Sequence, residues 1–167
     1  MTPNVRNLAL TAHVATSVGW LGAVMVFLAL AVVGLSSADA QLARAAYLAM
    51  GVAGWYVIVP LCLASLATGI VQSLASKWGL FRHYWVVIKL VLTVFATGLL
   101  LLHTSVIDQM AEIAASGELS GTDHRGMQAQ LVFDACAALA VLLVATVLAV
   151  YKPRGMTRFG RKKQGEI

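Results

Sequence analysis

The sequence contains little charge. Only 11% of its 167 residues are Asp, Glu, Lys or Arg, whereas soluble domains carry about 25%. Hydrophobic residues make up 60% of the chain, and the mean hydropathy is +0.84. This composition argues against a soluble domain and predicts a protein that lies in a lipid bilayer.

Cysteine is also scarce, and the motifs of soluble enzymes are missing. The two cysteines, Cys62 and Cys136, lie within apolar stretches and form no C-x-x-C motif, so a disulfide framework is not indicated. The chain has no G-x-S-x-G, no H-E-x-x-H and no phosphate-binding loop. Whether the protein is an enzyme is therefore not decided by motifs.

Four apolar stretches are present, and each is long enough to cross a membrane. A hydrocarbon core of about 30 Å needs roughly 20 helical residues. No Asp, Glu, Lys or Arg interrupts the first two stretches, and the third and fourth contain one charged residue each. The sequence therefore predicts an all-α membrane protein, an up-down four-helix bundle with helices at approximately residues 8–35, 46–76, 84–107 and 127–151.

Three further features bear on these helices. Pro60 lies halfway along the second and predicts a kink, because proline frees a backbone carbonyl. The segment DQMAEIAAS, residues 108–116, follows the third and could prolong it as an amphipathic extension. After the fourth, residues 152–167 form a basic tail that we predict to be disordered.

The first helix is predicted not to be cleaved as a signal peptide. Arg6 precedes an apolar run, and SADA at residues 37–40 has the small-x-small pattern of a signal cleavage site. Signal peptides have apolar cores of about 7–15 residues, and this run is about twice as long. We therefore expect an uncleaved first helix.

Lys and Arg predict the orientation, because short loops that carry them stay in the cytoplasm. Basic residues are concentrated before the first helix, between the second and third, and in the tail. The other two loops hold Arg44 and Arg125 among an excess of carboxylates. Both termini are therefore predicted to be cytoplasmic. The net charge of +5 is interpreted as a signal of topology and of contact with the lipid bilayer, and not of nucleic-acid binding.

Lys89 lies inside the third helix, about 8 Å from its predicted cytoplasmic end. One interpretation is snorkelling, in which the long side chain returns its ammonium to the lipid headgroups. The other follows from the helix face: Thr93 and Thr97 come at spacings of four, and Thr104 follows after seven more residues. These residues form one polar stripe, which favours a helix face that points into the bundle.

Polar residues of the first two helices lie at the same predicted depth as this lysine. They occur near the start of the first helix and near the end of the second, which are both on the predicted cytoplasmic side. If these faces meet, they form an inner polar cluster that we predict to bind a cofactor. Its members are His13, Ser17, Gln72, Lys89 and Thr93.

A second polar layer is predicted near the opposite face. His103 lies four residues before the end of the third predicted helix, and Asp134 lies seven residues into the fourth, so their depths are comparable. A carboxylate is costly to bury in a membrane and is usually paired. We predict a pair of His103 with Asp134, which is either part of a cofactor or metal site or a structural hydrogen bond that fixes helix register.

The histidines suggest two kinds of prosthetic group. Neutral imidazole is a common ligand of b-type haem and of copper. The predicted metal ligands are His13, His103 and Asp134. A haem with two axial histidines would need a partner for His13 at the same depth, and His83 is the candidate.

Three motifs resemble a known superfamily of membrane proteins: HVATSVGWLG at residues 13–22, YWVVIKL at 84–90 and LLHT at 101–104. This superfamily joins copper-resistance protein D to the HemJ-type protoporphyrinogen oxidases. More narrowly, the chain resembles a bacterial family of integral membrane proteins with a domain of unknown function, and the resemblance covers residues 8–150.

The resemblance implies a function and a location. In the oxidase branch, a first-helix His and a third-helix Lys form the functional pair associated with haem, and they map onto His13 and Lys89. The histidine at the end of that helix maps onto His103. The implied function is redox chemistry on haem b or a porphyrin in the bacterial cytoplasmic membrane, with electrons passing to quinone or to a membrane partner protein.

Two other functions stay open. A copper-handling protein would bind the ion from outside through soft ligands, and the candidates are His103, Met110, His124 and Met127. A non-catalytic membrane scaffold or partner subunit would use its polar groups only to lock the bundle. The three hypotheses predict different preparations of the protein. Haem binding predicts a Soret band, copper handling predicts a colourless protein with bound copper, and a scaffold predicts a colourless protein without metal.

Overall fold

Four long helical spans build the protein, as the sequence predicts. The computed structural model describes residues 2–75, 80–117, 119, 124–152, 155 and 157. About 91% of it is helical, and the described residues contain no strand. All four spans are long and apolar enough to cross a membrane, which confirms the predicted all-α class and the four-helix bundle.

The second span is divided into two α-helices by a short π-helical turn. The other three spans are single α-helices. In chain order the elements are α1 (Pro3–Ser36), α2 (Ala40–Ala53), the π turn (Gly54–Ile58), α3 (Val59–Ala75), α4 (Tyr84–Ser116) and α5 (Arg125–Tyr151).

Several helices extend beyond the predicted apolar stretches. α1 begins at residue 3 instead of 8, α2 at 40 instead of 46, and α4 ends at 116 instead of 107. The segment DQMAEIAAS therefore continues α4. At 1.5 Å per residue, α1 is about 51 Å long, which exceeds a hydrocarbon core of about 30 Å. α1 is therefore longer than a membrane span requires.

Local interactions explain these longer helices. The Asp39 carboxylate accepts a hydrogen bond of 2.8 Å from the backbone N–H of Gln41, which caps the start of α2. Arg44 donates to the Ala115 carbonyl at 2.8 Å and satisfies the last turn of α4. Gly117, at φ 85°, then ends α4 in the left-handed conformation that favours glycine.

The π turn lies directly before Pro60. Its last bond runs from the Val59 N–H to the Gly54 carbonyl, five residues back. A proline inside an α-helix has no N–H to donate, and its ring clashes with the carbonyl four residues earlier. The wider π turn changes the hydrogen-bonding pattern at this point. The structure thus has a change of helix type directly before Pro60, and the predicted kink stays a prediction.

α1 and α4 lie diagonally opposite each other in the bundle. α1 packs on α2, α3 and α5, and α4 packs on the same three elements. Among the described residues, no Cα atom of α1 comes within 8 Å of one of α4, and the same holds for α5 and the second span. Any side-chain contact between α1 and α4 therefore crosses the centre of the bundle.

The two ends of the bundle differ in packing. We call the end with the α1–α2 connection the loop end, and the end where α1 begins and α5 ends the terminal end. The most fully buried large side chains include Tyr47, Met50, Met110 and Leu131, which form a dense core in the half of the bundle nearer the loop end. The other half contains a cavity.

The start of the predicted disordered tail is held against the chain before α4. The Thr157 hydroxyl donates to the Phe81 carbonyl, and the Thr157 N–H donates to the Arg82 carbonyl at 3.0 Å. Most of the tail, including residues 158–167, lies outside the described residues. The prediction of disorder therefore stays a prediction for that part.

Candidate functional site

A cavity of about 480 Å³ lies in the half of the bundle nearer the terminal end. We call it the inner chamber. α1, α3, α4 and α5 all contribute to its wall, through residues between 10–21, 65–73, 85–93 and 142–150. Lys152, directly after α5, also lines it, and most of the lining is apolar. The volume falls within the range of about 300–1,000 Å³ that is usual for small-molecule and cofactor sites.

Lys89 and His13 meet in the wall of this chamber. The Lys89 Nζ lies 3.2 Å from the His13 Nε2, and both residues line the cavity. Since α1 and α4 are diagonal, the contact reaches across the centre of the bundle. The lysine side chain therefore points inward, and its ammonium does not return to the lipid headgroups.

Thr68 of α3 determines which nitrogen of His13 carries the proton. The Thr68 hydroxyl lies 2.6 Å from the Ala64 carbonyl and donates to it. Its oxygen also lies 3.2 Å from the His13 Nδ1 and must accept there, because its proton is already used. The imidazole is therefore protonated on Nδ1, and its Nε2 lone pair faces the Lys89 ammonium.

Gly69 lets the imidazole lie close to α3. A Cβ atom at Gly69 would come within 3.0 Å of the His13 Cε1, which is tighter than an ordinary van der Waals contact. Because Gly69 has no side chain, the imidazole ring of His13 fits between α1 and α3. Sequence reasoning predicted His13 as a site residue but missed this glycine.

The other members of the predicted inner cluster have different partners. Ser17 hydrogen-bonds to Ser65 at 2.8 Å. The Thr93 hydroxyl donates to the Lys89 carbonyl at 2.8 Å, so it is bound to its own helix. The Gln72 Oε1 is buried in the chamber wall and has no hydrogen-bond partner in the described part of the chain. All five predicted residues line the inner chamber.

Sequence reasoning did not include Ser65 and Thr68 in the site, although a signal was present. Ser65, Thr68 and Gln72 follow one another at spacings of three and four, which places them on one face of a helix. The same argument identified the stripe of α4. Farther along that stripe, Thr97 is buried and hydrogen-bonds to the Cys62 Sγ at 3.1 Å, so this part belongs to the core.

His103 and Asp134 are neighbours, but they do not line the inner chamber. The His103 Nε2 lies 3.9 Å from the Asp134 Oδ2, which is longer than a hydrogen bond. The His103 Nδ1 lies 2.9 Å from the Leu99 carbonyl and donates to it. Both side chains are partly exposed. The pair forms a loose contact between α4 and α5.

The predicted metal ligands are divided between these two places. His103 lies 14 residues beyond Lys89 in α4, which corresponds to about 21 Å along the helix. His13 and His103 are therefore too far apart to hold one metal ion. In the ranges that the structure describes, no three His, Cys, Asp or Glu side chains come together as metal ligands.

The copper candidates are spread over several environments. Met110 is buried in the dense core, and Met127 packs against that core. His124 directly precedes α5, and His103 faces Asp134. A copper site built from these residues stays a prediction.

The motif resemblance is the only indication of a family for this chain. Comparison with family models, with curated proteins and with solved structures finds no match.

Proposed function

We propose that the inner chamber binds a b-type haem or a related porphyrin and serves redox chemistry in the membrane. The observation that carries this proposal is the pair of His13 and Lys89 in the wall of a large, mostly apolar cavity. An imidazole is a usual axial ligand of haem iron. An ammonium forms strong charge-assisted hydrogen bonds with carboxylates, which a porphyrin carries as propionates.

The hydrogen bonds of His13 suit a metal ligand. Ligating histidines commonly donate their second N–H to a nearby acceptor, which fixes the ring and its tautomer. In this protein the Nδ1–H donates to Thr68, and the Nε2 lone pair is directed toward the chamber. In this role His13 would hold the iron through Nε2, and Lys89 would turn from the imidazole to a propionate.

The chamber contributes binding and surroundings, while the electron chemistry would be supplied by the tetrapyrrole. Its wall is mostly apolar, and the buried Gln72 Oε1 offers one acceptor for a polar substituent. We further propose the bacterial cytoplasmic membrane as the location, with cytoplasmic termini, and quinone or a membrane partner protein as the electron partner.

Absorbance spectroscopy tests the proposal. Protein purified in mild detergent from haem-replete cells should show a Soret band, and the His13→Ala variant should lose it because the axial ligand is gone. The matched control is His103→Ala, which removes an imidazole outside the chamber and should keep the band. Circular dichroism of both variants establishes that the helices are intact.

The same preparation distinguishes the alternatives. A colourless wild-type protein that still binds no haem after reconstitution would contradict the proposal. If that protein contains copper, a copper-handling function follows. If it is free of metal and the His13→Ala and Lys89→Met variants fold normally, the scaffold hypothesis is favoured.

Thr68→Val should weaken haem binding about 10–100-fold, which is the usual effect of removing a partner of a ligating histidine. Valine keeps the shape of the side chain but cannot accept the Nδ1–H. Thr146→Val is the matched control, because Thr146 also lines the chamber but hydrogen-bonds only to the Leu142 carbonyl of its own helix. Spectroscopic titration with haem measures both. Equal affinities for the two variants would contradict the role of Thr68.

A further inference from the structure

We infer that the inner chamber opens sideways into the bilayer between α1 and α5, and that it takes up an amphipathic carboxylate from the lipid leaflet at the terminal end. The inference rests on the proposed function in treating the chamber as a ligand site. It adds the route by which a ligand reaches the site and the chemical class from which the ligand comes.

Exposed residues of the chamber wall mark the opening. Val14 is 50% exposed, Val18 is 63% exposed and Val150 is 70% exposed, although all three line the cavity. Leu10, which also lines it, is 47% exposed. A side chain that touches both the interior and the surroundings lies at a mouth. Thr146 and Lys152 also line the cavity and are exposed, so the exposed part of the wall lies on α1, on α5 and directly after α5.

The opposite side of the chamber is less exposed. α3 and α4 also contribute many residues to the wall, and these are buried or half-buried. Ser65 of α3 and Val86 of α4 are buried. The most exposed part of the wall is therefore on the side of α1 and α5.

The rim of this opening is mostly apolar, with Thr146 and Lys152 as its polar members, and this composition indicates what it faces. α1 and α5 are both membrane-spanning candidates, and Val14 and Val18 lie well inside α1. At this depth an exposed aliphatic side chain contacts lipid tails. A mouth rimmed mainly by valine and leucine admits an apolar ring or chain, whereas a hydrated ion would lose most of its water there without compensation.

The polar end of the chamber selects the charge of the ligand. Among the described residues, Lys89 forms no ion pair with any Asp or Glu, and its nearest polar partner is the His13 imidazole. A partly buried ammonium without a counter-charge is unfavourable, so an anionic group is the complementary occupant. A carboxylate on an apolar body satisfies both the rim and the lysine.

Quenching of Trp20 fluorescence by dibromostearate tests the inference. This fatty acid joins a carboxylate to a brominated chain, and bromine quenches indole fluorescence on contact. Trp20 lines the chamber and is only 2% exposed, so bulk lipid does not reach it. The protein should carry Trp55→Phe, Trp78→Phe and Trp85→Phe, come from cells blocked in haem synthesis, and be reconstituted in phosphatidylcholine vesicles.

We expect saturable quenching of Trp20. Lys89→Met in the same background should weaken it about tenfold or more, because a charge-assisted contact is lost. The corresponding dibromo alcohol, which has no carboxylate, should give no saturable phase. Val14→Phe narrows the mouth and should slow the onset of quenching, whereas His103→Ala should change neither its rate nor its midpoint.

The outcomes separate the two proposals. If dibromostearate does not quench Trp20, the sideways opening is wrong, even if haem binding is found. If the alcohol quenches as well as the acid, or Lys89→Met has no effect, the carboxylate class is wrong. Saturable, lysine-dependent quenching in a protein that never binds haem would support this inference and contradict the proposed function.

Discussion

Replacing Gly34 by alanine should destabilise the protein more than the same change at any other glycine that the structure describes. A Cβ atom at this position would lie 2.5 Å from the Tyr47 Cζ and 2.9 Å from each Cε of the ring. Tyr47 is 1% exposed and belongs to the dense core, so its rigid ring has little room to move. Overpacking of this kind costs about 1–3 kcal/mol, occasionally more.

The free energy of unfolding in mixed detergent micelles measures this effect, with Gly22→Ala as the control. Gly22 lies in the same helix, and a Cβ atom there would meet nothing within 4 Å. Its replacement should be neutral or slightly stabilising, because alanine is the better helix former. Combining Gly34→Ala with Tyr47→Leu should recover part of the loss. Equal stability of the two alanine variants would show that the ring does not pack against α1.

Lys89→Met should raise stability and lower ligand affinity together. The change removes an ammonium that has no carboxylate partner, and an apolar residue of similar length fills the space. Replacing buried charge by packed apolar groups often stabilises by about 1–4 kcal/mol. The lost hydrogen bond to the His13 Nε2 costs about 1 kcal/mol, so we expect a net gain of up to about 3 kcal/mol. Haem affinity should fall about tenfold or more.

Arg6→Met is the control for this prediction. Arg6 lies near the start of α1, is exposed and does not line the inner chamber, so the change should leave the free energy of unfolding nearly constant. Unfolding curves and haem titrations of the two variants give the comparison. If Lys89→Met also leaves both quantities unchanged, the ammonium is solvated at the headgroups and has no role in the chamber.

The four spans and the inward lysine could be predicted from the sequence because each depends on a strong local pattern. Uninterrupted apolar stretches of the required length have few alternatives to a membrane span. The spacing of Lys89, Thr93 and Thr97 assigns them to one helix face without knowledge of the neighbours. The inward orientation of that face followed, since a polar stripe has no partners in lipid.

The partners of these residues could not be predicted, because they depend on how each helix is rotated about its axis. Thr68 meets His13, and Ser65 meets Ser17, only because α3 presents its polar face to α1. His103 and Asp134 were correctly placed at one depth, yet their rotation leaves them 3.9 Å apart. The start of α2 was missed because a polar segment, capped by Asp39, begins the helix. The prolongation of α4 over residues 108–116 was predicted as one alternative, and the structure has it.

The extra residue of the π turn affects which face α3 presents to α1. A π turn of this size accommodates one residue more than the α-helix it interrupts, and one residue corresponds to roughly 100° of rotation. Shortening the turn by one position would swing Ser65 and Thr68 through that angle and leave the imidazole of His13 without its acceptor. The position of Thr68, which orients His13, thus depends on one extra residue in the π turn, a few helical turns away and next to Pro60.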